Sequence, residues 1–169
     1  MRLTSLILVI AALVGALLAY AYPTRTTQLA TAIMEFVPRT TSASARTVDV
    51  ARSASGDFAL RAKINGVSAP MVVDTGATSV VLTHETARAI GLPLELLTYN
   101  IDLETASGRT RAARVTLDRL GIGKLEERSV PALVVPAGRM KTNLLGMSFL
   151  DRLESWEVRA DRVFLRGYP

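Results

Sequence analysis

Phe58, Leu60, Ala62 and Ile64 alternate with Ala59, Arg61 and Lys63, and Asn65-Gly66 follows at once. Period-two alternation running into Asn-Gly is the pattern of a half-buried strand that ends in a tight hairpin, so this stretch is committed to a sheet. The next run, Met71-Val72-Val73, is apolar on both faces and predicts a central, buried strand. Tyr99, Ile101 and Leu103 alternate again before a glycine-containing turn at Ser107-Gly108. Residues 115–120, 129–135 and 156–165 supply further strand-prone runs, with one side of Trp156 facing the core. Gly121-Ile122-Gly123 lacks the remaining glycine of a dinucleotide fingerprint and reads as a turn between strands.

Helical signals are few. Residues 83–92 carry the clearest one: Thr83 is placed to cap the N-terminus, Gly91 sits where a C′ glycine belongs, and Ala87, Ile90 and Leu94 fall on one face. Residues 144–153 read as a short helix with its approach loop. Many short strands with one or two short helices define a small, mainly β, barrel-like domain, and the chain carries no internal repeat.

That domain occupies residues 47–169 of the 169. Residues 3–22 carry no charge and are dominated by Leu, Ile, Val and Ala, enough for a membrane-spanning helix. Arg2 ahead of them orients the N-terminus to the cytoplasm and the rest of the chain to the far side of the inner membrane, in the periplasm. Residues 1–22 are therefore expected to be a single-pass signal anchor. A cleaved signal peptide is the rival reading, because Ala19-Tyr20-Ala21 resembles a processing site. Residues 23–46, rich in Thr, Ser and Ala with Pro23 and Pro38, read as a flexible spacer.

Composition closes off several chemistries. The formal charge is +5, but Arg2, Arg25, Arg39 and Arg46 against Glu35 place most of the excess upstream of Thr47. The rest of the chain interleaves 16 basic with 14 acidic residues, with no long basic block, which disfavours a nucleic-acid partner. The absence of cysteine excludes disulfides, thiolate zinc sites and cysteine nucleophiles. His84-Glu85 begins like a zinc-binding helix, but Arg88 occupies the place of the second histidine. No metal or cofactor is expected.

Asp74-Thr75-Gly76 follows the buried run directly. A carboxylate at the end of an apolar strand needs hydrogen-bond donors. Thr75 can lock the turn through its hydroxyl, and Gly76 permits close backbone approach and offers its amide. By itself the tripeptide also fits an ordinary turn aspartate. The whole run Val72-Val73-Asp74-Thr75-Gly76-Ala77-Thr78-Ser79 resembles the catalytic loop of retropepsin-like aspartic peptidases. Asn143-Leu144-Leu145-Gly146-Met147 resembles the segment that crosses behind that loop, and Thr105-Ala106-Ser107-Gly108 is similar to the family's flap tip. The three segments fall in the family's order. The likeness is nearest to exported bacterial members with an N-terminal membrane segment.

The resemblance implies a single-lobe acid-protease barrel with Asp74 as catalytic carboxylate and Thr75, Gly76, Ala77 and Thr78 as its loop. Thr105, Ala106, Ser107 and Gly108 would form the substrate-covering flap, and Leu144, Leu145 and Gly146 the support behind the loop. One Asp-Thr-Gly per chain implies a homodimer, with two Asp74 carboxylates sharing a proton and acting on one water. The substrate implied is an extended protein or peptide segment. Ala77 cannot donate a hydroxyl hydrogen bond to the carboxylate, so activity is expected to extend toward neutral pH. Two readings of other classes stay open: a non-catalytic, membrane-tethered peptide-binding module on the same fold, and a purely structural interaction module. Arg109 and Arg111 form a solvated face or, alternatively, favour acidic substrates.

Overall fold

The computed structural model describes residues 46–105 and 108–169, so the apolar segment 3–22, most of the spacer and the flap residues Ala106 and Ser107 lie outside it. Among the described residues no helix is long and apolar enough to cross a membrane. The described residues form ten strands: β1 (Thr47–Ala51), β2 (Ala59–Ile64), β3 (Val67–Val73), β4 (Val80–Leu82), β5 (Tyr99–Thr105), β6 (Gly108–Ile122), β7 (Leu125–Val134), β8 (Asn143–Leu145), β9 (Ser155–Arg159) and β10 (Arg162–Arg166). Among the described residues there are also two short helices, α1 (His84–Ala89) and α2 (Met147–Leu150), and a 3-10 turn at Leu94–Leu96.

A seven-stranded sheet runs β2-β3-β8-β4-β7-β6-β5, and a second contact between β2 and β6 closes it into a barrel-like ring. Asn65 and Gly66, both at positive φ, make the expected turn between β2 and β3. Inside pack Ile64, Met71, Leu82, Leu117, Leu145 and Phe149, each essentially without solvent exposure. A smaller apolar cluster of Val81, Ala112, Leu133 and Val135 lies apart, with Leu103, Met140 and Leu144 half-buried against it. A separate sheet of order β1-β10-β9 joins the two ends of the domain. There Gly167 N–H donates to the Arg46 carbonyl at 2.8 Å, and the Arg46 guanidinium donates to the Tyr168 carbonyl at 2.9 and 2.7 Å.

Helix α1 matches its sequence signals closely. The Thr83 hydroxyl accepts from Thr86 N–H at 3.2 Å. At the other end Leu92 N–H bonds the Ala87 carbonyl and Gly91 N–H, at φ +79°, that of Arg88, which is the Schellman arrangement. Ala87 is fully buried, and Ile90 and Leu94 pack on the core.

Three expectations change. Leu144 and Leu145 belong to a strand, β8, and the helix starts only at Met147, because both neighbours of the segment are strands with free edges. The run 156–165 is strand as expected, folded into the hairpin β9–β10 with its turn at Ala160, φ +50°. Gly121 and Ile122 stay in β6, which pairs across to Leu125 and Glu126, so the turn is at Gly123 and Lys124 alone. Val72 and Val73 are half-buried, since β3 is leaving the core as it reaches the loop that follows.

Candidate active site

The loop from Asp74 to Ser79 joins β3 to β4, two strands that do not touch each other. Between them lies β8, parallel to β3 through Met71, Val72 and Val73 and antiparallel to β4 at Val81 and Leu144. The loop therefore spans the strand that supports it. Asp74 N–H donates to the Leu145 carbonyl at 3.1 Å, which fixes the start of the loop on β8. Gly76 N–H donates to Asp74 Oδ1 at 2.9 Å, supplying the donor that a carboxylate in this position requires. Met147 N–H and Ser148 N–H donate to the carbonyls of Ala77 and Thr78 at 2.9 and 3.2 Å, so the first turn of α2 holds the loop's far half.

Gly146 sits at the crossing. A Cβ there would collide with the Ser79 carbonyl oxygen and lie 2.7 Å from the Ala77 carbonyl oxygen. Its φ of −92° is one any residue adopts, so glycine is required here for space alone. The resemblance-based expectation for Leu144, Leu145 and Gly146 coincides with this placement behind the loop.

Two residues whose side chains the sequence reading gave no role hold the frame. Asn143 is 2% exposed; its Oδ1 accepts from Thr83 N–H at 2.9 Å and its Nδ2 donates to the Pro70 carbonyl at 2.7 Å. Ser148 Oγ accepts from Val80 N–H and donates to the Pro131 carbonyl, both at 2.8 Å. Each side chain completes a backbone group that strand pairing leaves open. Asn143→Ala would leave a buried donor, Thr83 N–H, and a part-buried acceptor, the Pro70 carbonyl, without their partner, and a loss of about 2–3 kcal/mol in urea unfolding is the expected result.

Asp74 is half-exposed and opens, with Gly76, Ala77, Thr78 and Ser79, on a cleft of about 830 Å³. Val81, Leu133, Met140 and Leu144 give it an apolar lining, and Leu103, Glu104 and Thr105 of the β5–β6 hairpin line it as well. At the hairpin tip the Thr105 hydroxyl donates to the Gly108 carbonyl at 2.8 Å, and Gly108 takes φ +102°. The expected flap ends Thr105 and Gly108 thus face each other in register, while Ala106 and Ser107 lie outside the described residues. One expectation fails within a single chain. The Thr75 side chain is exposed, and its hydroxyl makes no hydrogen bond among the described residues, so the turn is locked by Gly76 and the β8–α2 segment instead.

A single-lobe β barrel with an Asp-Thr-Gly loop, a crossing strand behind it and a hairpin beside the cleft is the architecture of the retropepsin-like aspartic proteases. The chain belongs to this family: residues 60–152 match the model of the gag-polyprotein putative aspartyl protease. A crystal structure of a retropepsin-like aspartic protease from Rickettsia conorii superposes with a TM-score of 0.65 at 34% identity, covering 72% of this chain and 90% of that one. EIAV protease in complex with an inhibitor shares the fold, with a TM-score of 0.51 at 16% identity over 63% of this chain and 97% of that one. An uncharacterized Sinorhizobium protein, from the region 5′ of cobV, is 40% identical over 112 residues, or 66% of this chain and 48% of its own. An uncharacterized Rickettsia prowazekii (strain Madrid E) protein is 35% identical over 116 residues, or 69% of this chain and 49% of its own. The chain spans about half the length of these two curated relatives.

Proposed function

We propose that this chain is an aspartic endopeptidase that cuts extended polypeptide segments, with Asp74 of two copies forming one catalytic pair. The observation that carries this reading is the position of Asp74: half-exposed, bonded through Oδ1 by Gly76 N–H, and opening on an apolar cleft. One carboxylate of such a pair, ionised, takes a proton from water as the water attacks the scissile carbonyl. Its protonated partner donates a hydrogen bond to that carbonyl oxygen, and two close carboxylates hold this single proton because both cannot ionise readily.

A homodimer supplies what one chain lacks. The other carboxylate lining the cleft is Glu104, which lies on β5 and in no Asp-Thr-Gly loop. The exposed Thr75, beside Asp74, leaves a hydroxyl available to a second loop across a two-fold axis. Thr105, Ala106, Ser107 and Gly108 then cover the substrate as a flap, and an extended segment adds its backbone to the hairpin in the manner of β-addition. Residues 1–22 anchor the protein in the inner membrane and residues 23–46 carry domain 47–169 on the periplasmic side, a reading supported by the uncharged run 3–22 behind Arg2.

The test is cleavage of a mixed peptide library by the full chain, from acid to neutral pH, over a wide range of protein concentration. At low concentration the rate is expected to rise with the square of protein concentration, as an active dimer in equilibrium with inactive monomer requires. A rate strictly proportional to concentration down to the detection limit, together with a monomeric mass, would remove the two-chain site.

A further inference from the structure

Between β7 and β8 the chain crosses the edge of the cleft in a loop whose shape is fixed. Val135 N–H donates to the Leu82 carbonyl at 3.1 Å, extending the β4–β7 pairing by one residue. Arg139 N–H then closes a turn on the Pro136 carbonyl at 3.2 Å, with Gly138 at φ +76° in the third place, where a type II turn needs a positive φ. Met140 packs inward against the smaller apolar cluster. Arg139 and Lys141, on either side of it, are exposed, and both line the cleft that holds Asp74.

The charges of the neighbouring hairpin are arranged differently. Asp102 and Arg111 are paired in register and lie 3.5 Å apart, and Glu104 is in register with Arg109. The four charges in the stretch where β5 and β6 pair, residues 99–105 and 108–113, sum to zero. Arg139 and Lys141 make no ion pair among the described residues, and they stand at the cleft mouth beside an apolar floor, in a cleft whose carboxylates are Asp74 and Glu104. A cleft with an apolar floor and cationic edge fits a peptide that buries an aliphatic or aromatic side chain while a nearby carboxylate meets the edge.

We propose that Arg139 and Lys141 form a cationic lip that selects substrates with an acidic residue close to the apolar residue at the cut. This rests on the peptidase reading above and specifies its substrate class. In the two-fold dimer the lip occurs twice, so acidic residues on both sides of the cut are favoured.

The experiment uses a fluorescent peptide with glutamates flanking a central pair of leucines, beside its glutamine and lysine counterparts, and the full chain. The glutamate peptide is expected to exceed the glutamine peptide in kcat/KM by roughly fivefold, through KM, as two exposed ion pairs allow. The advantage should shrink below about twofold when salt is raised to about 0.5 M. The double variant Arg139→Gln, Lys141→Gln brings the glutamate-to-glutamine ratio to about one, and Arg139→Glu, Lys141→Glu turns preference toward the lysine peptide. Because each chain is judged by a ratio, a general loss of activity does not mimic these results. Cleavage of all three peptides at equal efficiency overturns the lip and leaves the peptidase standing. If none is cut, the peptidase reading falls and the lip is judged by fluorescence anisotropy on Asp74→Asn: tighter binding of the glutamate peptide supports it, and equal or absent binding overturns it.

Discussion

Replacing Asp74 by Asn is expected to lower kcat/KM by roughly a thousandfold to ten-thousandfold, the range that removal of a general acid–base pair produces. The fold should not notice. Asn keeps an acceptor oxygen for Gly76 N–H, and Asp74 is half-exposed, so loss of its charge leaves no buried group without a partner. An unfolding midpoint within about 2 °C of the parent's is the companion result. In a two-chain site the substitution removes both carboxylates together, which is why the effect is so large. A peptide-binding module would behave otherwise, holding its ligand equally well with Asn. If the variant retained turnover, a different group would have to perform the chemistry, and Glu104 would be the first to test.

The second large effect concerns Gly146→Ala. Added Cβ atoms usually find room by pushing a flexible side chain aside, but here the atoms in the way are the backbone of Ser79, its carbonyl carbon at 2.6 Å, and the Ala77 carbonyl oxygen at 2.7 Å. Both belong to the loop that carries Asp74. The loop can give way only by stretching the bonds from Met147 and Ser148 to Ala77 and Thr78. A loss of about 3 kcal/mol or more is expected in urea unfolding, at the upper end for overpacking by one methyl. Turnover should fall further than stability under conditions where the variant is still folded, because the displaced loop no longer presents Asp74 correctly. A loss below about 0.5 kcal/mol would mean that the loop is softer than its contacts describe.

The parts of this molecule legible in the sequence are those whose signals are local. The Asn65-Gly66 turn, the capped helix at Thr83 and the Asp-Thr-Gly loop are each written within a few neighbouring residues. The side chains of Asn143 and Ser148 were given no role because their partners are remote. Asn143 reaches Pro70 and Thr83, and Ser148 reaches Val80 and Pro131, so nothing beside either residue distinguishes it from a surface polar group. Leu144 and Leu145 of β8 were read as part of a short helix with its approach loop for the same reason. Three residues are too few to show a period, and the edges that capture them belong to β3 and β4, more than sixty residues earlier at the nearest point. Thr75 misled in the opposite direction: its local setting fits a turn-locking hydroxyl, yet the locking groups come from Gly76 and from the far segment.

The late arrival of β8 also sets a schedule for the chain's synthesis. Strands β3 and β4 leave the ribosome early, separated by only a few residues, yet the strand that lies between them is absent until residues 143–145 have been made. Pairing of such distant segments is slow compared with closing a local hairpin. Nascent chains and C-terminal truncations ending before this point contain the whole Asp-Thr-Gly sequence but no floor beneath it. The order of the strands thus leaves the Asp74 loop without its supporting strand until the last part of the domain is made.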